Sequence, residues 1–285
     1  STTYDVNTGN ITGTDKLASL TLTTSGAADS DGNVTIGTLV DADSLTSLSA
    51  TGTGGDITIG AVGGTGSAEV LAAVSAAATS GSAISFGAIT ADTTDSVTDN
   101  AMVITASADV ASSVTFGGDV DNTYGSITLN ISGDGTVSAT GGAADALKAV
   151  DVSVTRSGAG ATVIDDITAS GNLTVTATGS GALTLGSGQS VSVTGTTTVT
   201  ASASSGALTT TMDGTASITV LGGSGADTIT LSGTTASGKV HSVDGGAGND
   251  TIQGGAGADT LIGGAGEDSI TAAAVSYTHL RAHET

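Results

Sequence analysis

Several residue types that shape most folded proteins are missing from this sequence. Its 285 residues contain no cysteine, no proline and no tryptophan, and aromatic residues make up only 2% of the chain. Without cysteine the chain forms neither disulfides nor thiolate metal sites, a composition that suits an extracellular protein free of redox chemistry. With so few aromatic rings, it has almost no surface on which bases or sugars stack.

Positive charge is also scarce. Five Lys and Arg residues stand against 27 Asp and Glu residues, which leaves a formal net charge of −22. Because phosphate groups are bound by basic side chains, this balance excludes nucleic acid and anionic membranes as partners. No apolar run approaches the ~18 residues that a membrane span needs, so no membrane insertion is expected. An Asp-rich chain does attract divalent cations, which prefer oxygen ligands.

The chain is instead rich in small residues, including 45 glycines, and in short strand signals. The pattern apolar–hydroxyl–apolar–Gly occurs four times, as VTIG (34–37), ITIG (57–60), ISFG (84–87) and VTFG (114–117). The third positions of these patterns are Ile36, Ile59, Phe86 and Phe116, so the pattern recurs at similar but unequal intervals. Alternation of this kind predicts strands with one buried face, and its recurrence favours stacked coils.

We therefore predict an all-β fold, with a parallel β-solenoid for residues 1–220. A β-sandwich array is the alternative for this region, because short strands separated by turns fit both architectures. One segment differs, since residues 67–79 (SAEVLAAVSAAAT) place Val70, Leu71 and Val74 at helical spacing. This spacing predicts a short surface helix.

The most specific pattern lies near the C-terminal end of the sequence. Three nonapeptide copies follow one another in register at residues 245–253, 254–262 and 263–271, and a fourth copy occupies residues 222–230. Their consensus is G-G-x-G-x-D-x-U-x, in which U is apolar. The glycines allow the positive φ of a tight turn whose carbonyl oxygens face a cation, and the Asp adds a carboxylate. The apolar residue then begins a short strand and points into the coil.

This pattern resembles the calcium-binding nonapeptide of the RTX (repeats-in-toxin) family. The resemblance implies a parallel β-roll, in which two nonapeptides form one coil and Ca²⁺ lies between turns that are two nonapeptides apart. The family's ligands are Asp carboxylates and carbonyl groups of the turns. Carried over to this sequence, one ion is shared by two sets of residues, namely Gly245, Ala247 and Asp250 with Gly264, Gly266 and Asp268.

Two further Asp residues are expected at partial calcium sites. Asp227 pairs with the turn of Asp250 if residues 231–244 form an enlarged half-coil that is longer than one nonapeptide. Asp259 has no matching turn two nonapeptides earlier, because residues 236–244 (ASGKVHSVD) lack the Gly-Gly pair. The sequence thus predicts one complete site and up to two partial ones.

These patterns divide the chain into three segments: a Thr/Ser/Gly/Ala-rich strand region at 1–220, a truncated RTX β-roll at 221–274 and a non-native tail at 275–285. The tail reads VSYTHLRAHET, lacks glycine and contains two of the three histidines. It resembles a translated sequencing adapter, and we expect it to have no role in the coil. The alternative interpretation is a metal-binding pair, His279 and His283, on one helical face.

Residues 1–220 resemble bacterial S-layer proteins and large surface adhesins exported by type I secretion. Together with the RTX block, this implies an extracellular or cell-surface structural protein that folds on binding calcium. Self-association and cell-surface polysaccharide are the other expected partners. The alternative is the non-catalytic carrier region of a secreted toxin or exoenzyme, and an ice- or sugar-binding adhesin module is a third interpretation.

Catalytic motifs are absent from the sequence. Neither the zinc motif H-E-x-x-H nor the nucleophile motif G-x-S-x-G occurs. Residues 233–239 (GTTASGK) imitate a phosphate-binding loop, but Val240 replaces the Ser or Thr that would hold magnesium. We therefore predict that the chain is not an enzyme.

Overall fold

The computed structural model is built from β-strands. It describes residues 5–12, 16–25, 32–40, 44–63, 71–91, 101–122, 125–141, 146–187, 191–232, 239–272 and 279–283. No helix of the length and apolar character that crossing a lipid bilayer requires occurs among these residues. The chain divides into two compact units, Ser1–Val150 and Asp151–Thr285.

The first unit contains short strands in a repeating order of one long and two shorter strands. In chain order these are β1 (Val6–Thr8), β2 (Ser19–Ser25), β3 (Val34–Ile36), β4 (Leu39–Val40), β5 (Ser47–Thr53), β6 (Ile57–Ile59), β7 (Val62–Gly63), β8 (Ala73–Thr79), β9 (Ala83–Phe86), β10 (Ile89–Thr90), β11 (Ala101–Ala108), β12 (Ser113–Phe116), β13 (Val120–Asn122), β14 (Ser126–Gly133), β15 (Thr136–Ala139) and β16 (Leu147–Ala149).

Each strand of this unit pairs in parallel with the equivalent strand of the next coil, which produces three ladders. The longest strands form the ladder β2–β5–β8–β11–β14. The shorter strands form β1–β3–β6–β9–β12–β15 and β4–β7–β10–β13–β16. Parallel pairing between successive coils defines a β-solenoid, which confirms the predicted fold and rules out the antiparallel sandwich.

The core of the first unit consists of apolar residues stacked in columns, one from each coil. The third positions of the four recurring strand patterns form such a column and are all buried: Ile36, Ile59, Phe86 and Phe116. The rings of Phe86 and Phe116 stack with their centroids 5.1 Å apart. A coil this thin buries one row of side chains per strand, so few large residues are enough.

The predicted helix at residues 67–79 is wrong. Residues 67–70 lie outside the described part of the chain, and Ala73–Thr79 form strand β8. Within β8, Val74, Ala76 and Ala78 are buried and the residues between them face outward, which is the period of a strand. Pairing with β5 and β11 on both sides outweighs the helix propensity of the alanines.

The second unit begins with the same order of one long and two shorter strands. Its strands are β17 (Val152–Arg156), β18 (Thr162–Ile164), β19 (Ile167–Ala169), β20 (Leu173–Gly179), β21 (Leu183–Leu185), β22 (Val191–Val193), β23 (Thr197–Ser204), β24 (Leu208–Gly214), β25 (Ile218–Leu221), β26 (Thr228–Leu231), β27 (Ser242–Ala247), β28 (Thr251–Gln253), β29 (Thr260–Ala265), β30 (Ser269–Thr271) and β31 (His279–His283).

The cross-section of this unit narrows at β24. Before it, the ladders β18–β21 and β19–β22 are separate, and both then pair with different parts of the longer β24. After it, each coil has two strands, in the ladders β23–β25–β27–β29 and β24–β26–β28–β30. Two strands per coil is the architecture of a β-roll, and it begins where the nonapeptide copies begin.

The apolar U positions of the nonapeptides point into this narrow roll. Ile229, Ile252 and Leu261 are fully buried, and Ile270 is half-buried. Val243 pairs with Leu261, so two nonapeptides make one coil as the resemblance implies. The coil before it is longer, because Val243 pairs on its other side with Val220, which lies more than two nonapeptides earlier in the chain.

The segment His279–His283, expected to have no role in the coil, is paired in parallel with β29 as strand β31. An edge strand exposes unpaired N–H and C=O groups, which pair with nearby extended backbone without regard to side chains. The helical arrangement required for a metal-binding pair is therefore absent, since both histidines lie in an extended strand.

Candidate metal centre

Two turns of the RTX block, residues 245–250 and 263–268, have matching conformations and lie directly over one another. Strand pairing aligns Gly246 with Gly264 on one side of the turns. The second and fourth positions of both turns have positive φ, with values of 98° at Gly246, 121° at Gly248, 103° at Gly264 and 138° at Gly266. Because side chains are strained in this region of φ, the glycines at these positions are what permit the turns.

The carboxylates of these turns are aligned between successive coils. The backbone N–H of Asp250 donates to Oδ1 of Asp268 over 3.0 Å. The other oxygen, Oδ2, is buried in both residues and has no hydrogen-bond partner among the described residues. Leaving a buried carboxylate oxygen without a partner is costly, and a divalent cation satisfies it. The donor set of these turns therefore fits Ca²⁺.

Each unpartnered oxygen faces the first glycine of its own turn. A Cβ placed on Gly245 would collide with Oδ2 of Asp250, and one placed on Gly263 would collide with Oδ2 of Asp268. The carboxylate is thus folded back over the turn backbone that the family's ligand pattern uses. Any side chain at the first position would push the carboxylate away, which explains why the consensus begins with glycine.

The electrostatics of Asp250 reflect its burial among other acids. Burial raises the pKa of Asp250 to about 6, and the charges of Asp227, Asp268 and Asp244 act in the same direction. The hydrogen bond from the N–H of Asp227 partly opposes this increase. A carboxylate that resists ionisation at a site without a cation gains most from a bound positive charge.

Asp227 lies over Asp250, as the enlarged half-coil requires, but its carboxylate already has partners. Its N–H donates to Oδ1 of Asp250 over 2.8 Å. Its own Oδ1 accepts from the N–H of Leu208 at 2.8 Å, and its Oδ2 accepts from the N–H of Gly223 at 3.0 Å. Burial raises the pKa of Asp227, while these two hydrogen bonds lower it.

The turn of Asp227 also differs in its backbone. Gly223 and Gly225, its second and fourth positions, do not have the positive φ seen in the two matching turns. The described part of this coil therefore brings Asp227 next to the Asp250 carboxylate without repeating the turn geometry at residues 245–250.

Asp259 lies on the other side of the coil, next to a residue that the sequence analysis did not single out. His241 is fully buried, and its carbonyl accepts from the N–H of Thr260 at 2.8 Å, which places it one coil before Asp259. Burial lowers the pKa of His241, and the charge of Asp259 raises it. The spacing in the sequence already relates the two residues, because His241 lies two nonapeptides before Asp259, at the sixth position of residues 236–244.

Side chains alone do not form a metal centre here. Within the described ranges, no three His, Asp or Glu residues come close enough to hold an ion. A site at the turns consequently depends on backbone carbonyl oxygens as well as carboxylates, as in the ligand pattern that the resemblance implies.

Comparison with known proteins supports this geometry for one segment of the chain. No curated protein and no solved structure matches it. A family model matches residues 242–274, a range that includes the three contiguous nonapeptides and not the copy at residues 222–230. The matching model is that of the RTX calcium-binding nonapeptide repeat (4 copies), so residues 242–274 belong to this type of repeat and the ion of the block is Ca²⁺.

Proposed function

We propose that this chain is part of an extracellular structural protein whose C-terminal block folds on binding calcium. The observation that carries the proposal is the pair of matching turns at residues 245–250 and 263–268, with buried, unpartnered oxygens on Asp250 and Asp268 among the described residues. The ligands of the shared ion are then Gly245, Ala247 and Asp250 from one turn and Gly264, Gly266 and Asp268 from the next.

Charge repulsion explains why the block needs the ion. Residues 221–274 contain one lysine, Lys239, against six acids: Asp227, Asp244, Asp250, Asp259, Glu267 and Asp268. Without a cation these carboxylates repel one another across stacked coils, while each coil buries only a few apolar residues. Calcium at tenfold excess over its Kd adds about 1.4 kcal/mol per site, which is decisive for a thin and marginally stable coil.

The same energetics predict where the RTX block folds. Extracellular calcium modules bind with a Kd of about 10⁻⁴–10⁻³ M, far above the calcium concentration of the cytosol. With such an affinity the block stays unfolded before export and folds outside the cell.

The test is calcium titration of the full chain by calorimetry, with Asp250→Ala and Asp268→Ala as variants. Each substitution removes a charged ligand, so each is expected to lose the shared ion. Asp166→Ala removes one carboxylate outside the RTX block and is expected to retain the number of bound ions. Equal calcium stoichiometry in all three variants would contradict the ligand assignment.

We infer further that the chain serves as a piece of an S-layer or adhesin-like surface protein. A Thr/Ser-rich parallel solenoid in the first unit, with no catalytic motif in the sequence, supports a structural role. Calcium-dependent assembly into sheets or fibres in electron microscopy, or binding to cell-wall polysaccharide, is the expected result. A chain that stays monomeric and binds neither favours the carrier region of an RTX toxin or exoenzyme.

A further inference from the structure

The two sides of the RTX roll are not equivalent. On one side, the carbonyl of Asp250 accepts from the N–H of Ser269 at 2.8 Å. On the other side, the carbonyl of His241 accepts from the N–H of Thr260 at 2.8 Å. Both bonds join a sixth-position residue to the seventh position one coil later, so His241 occupies the place that Asp250 has on the calcium side.

The imidazole of His241 also reproduces one contact of that Asp. Its Nδ1 accepts from the N–H of Ile218 at 3.2 Å, just as Oδ1 of Asp250 accepts from the N–H of Asp227. A neutral imidazole has one nitrogen with a lone pair and one with a proton. Because Nδ1 uses its lone pair for Ile218, the proton is on Nε2.

This proton has a counterpart one coil later. Nε2 of His241 and Oδ1 of Asp259 are both buried, and within the described residues neither has a hydrogen-bond partner. His241 is fully buried and Asp259 is 7% exposed, so water does not readily satisfy either atom. A donor and an acceptor are thus left unpaired at adjacent positions of stacked coils.

We infer that His241 takes the place of a calcium ion on this side of the roll. A rotation of the two side chains brings its Nε2–H, unpaired in the structure, to the Asp259 carboxylate. A cation bound by His241 would need the lone pair of Nε2, which would move the proton to Nδ1 and set it against the N–H of Ile218. Asp259 then acts as a hydrogen-bond acceptor and not as a calcium ligand. The inference rests on the proposed function, because it decides which side of the roll holds the ion.

The first test compares Asp259→Asn with the matched variant Asp250→Asn in calcium titration of the full chain. Each variant keeps the side-chain size and removes one carboxylate from a sixth position. Asp250→Asn is expected to bind one ion fewer than the parent chain, whereas Asp259→Asn is expected to bind the same number. A lost ion in Asp259→Asn overturns the inference, while a parent chain that binds no calcium overturns the proposed function instead.

The second test reads the tautomer directly by nitrogen NMR of the calcium-saturated, histidine-labelled chain. The expected signal of His241 is that of a ring protonated at Nε2, and Asp259→Asn is expected to shift it. Zn²⁺ is then added as a probe, because it prefers imidazole nitrogen more than Ca²⁺ does. A ring protonated at Nδ1 would leave Nε2 with no proton to donate, and a His241 signal displaced by Zn²⁺ would show a metal ligand; either result overturns the inference.

Discussion

At the scale of single residues, the buried charged groups of the second unit are held in different ways. The carboxylate of Asp250 keeps one oxygen without a partner among the described residues. The guanidinium of Arg156, only 1% exposed, is held by backbone carbonyl groups of Gly160 and of strand β20. Its Nη1 donates to the carbonyl of Thr178 at 2.8 Å and its Nη2 to the carbonyl of Gly160 at 3.0 Å. Asp250 thus has an oxygen that a cation can bind, whereas Arg156 is itself the cation that backbone oxygens bind.

The raised pKa of Asp250, about 6, predicts opposite pH dependences with and without calcium. Without calcium the folded conformation of the block is a minor population. It holds a proton that the unfolded chain releases nearer pH 4, so this population increases as the pH falls through about 6. Calcium requires the ionised carboxylate, so calcium affinity decreases over the same interval. Calorimetry measures the calcium affinity, and far-UV circular dichroism in chelator measures the folded population, both between about pH 5 and pH 7.

Asp250→Asn is the control for this prediction, because it cannot ionise. It is expected to flatten the pH dependence of the folded population in chelator. A calcium affinity that stays constant between these pH values in the parent chain would contradict the assignment of Asp250 as a ligand.

Arg156 predicts a large loss of stability on truncation. Arg156→Ala removes two hydrogen bonds that a buried charged donor makes to backbone carbonyl groups, for a cost of about 2–4 kcal/mol. Arg156→Lys is expected to recover little of this, because one ammonium group does not span two carbonyls held by a planar fork. Urea unfolding of both variants measures the effect, and a cost within about 0.5 kcal/mol for Arg156→Ala would contradict it.

At the scale of elements, the strand columns were predictable from the sequence and several contacts between coils were not. Spacing identified the column of Ile36, Ile59, Phe86 and Phe116, because a strand's inward positions depend only on its own alternation. The error at residues 67–79 arose because Val70, Leu71 and Val74 fit helical spacing and alanine favours a helix, whereas pairing with the flanking strands overrides both. The roles of Asp227 and His241 depend on amides from another coil, whose register no local pattern reveals.

The turn itself yields a prediction at this scale. Gly264 has φ of 103°, and a Cβ there would collide with the carbonyl oxygen of Gly246 in the coil before. Gly264→Ala is expected to cost about 1–3 kcal/mol in backbone strain alone and to abolish calcium binding at the shared turns. Gly9→Ala is the control, because a Cβ at Gly9 meets no atom within 4 Å. Calcium titration of both variants is the measurement, and normal binding by Gly264→Ala would refute this view of the turn.

At the scale of the whole molecule, the two units differ in what stabilises them. The described coils of the first unit have three strands and stacked apolar columns, including the Phe86–Phe116 pair. The last coils of the second unit have two strands and a row of buried carboxylates. Removing calcium should therefore unfold one end of the chain and leave the other end folded.

Hydrogen exchange with calcium and then with excess chelator tests this difference. The amides of Ile252 and Leu261 are expected to lose protection in chelator, because their coils depend on the ion. The amides of Ile59 and Val114 are expected to keep it, since apolar packing suffices in the first unit. Full protection of the Ile252 and Leu261 amides in chelator would contradict the proposal that calcium drives folding.

The unequal coil lengths of the RTX roll also bear on how such a chain evolves. The coil from Val220 to Val243 is longer than the coil from Val243 to Leu261, yet the strand pairing is parallel and in register in both. The extra length enters between Leu231 and Ser242, on one side of the coil. An insertion between these strands is thus accommodated without a change in strand register. We expect this part of the coil to tolerate changes in length better than the turns at residues 245–250 and 263–268, whose matching backbone conformations fix their length.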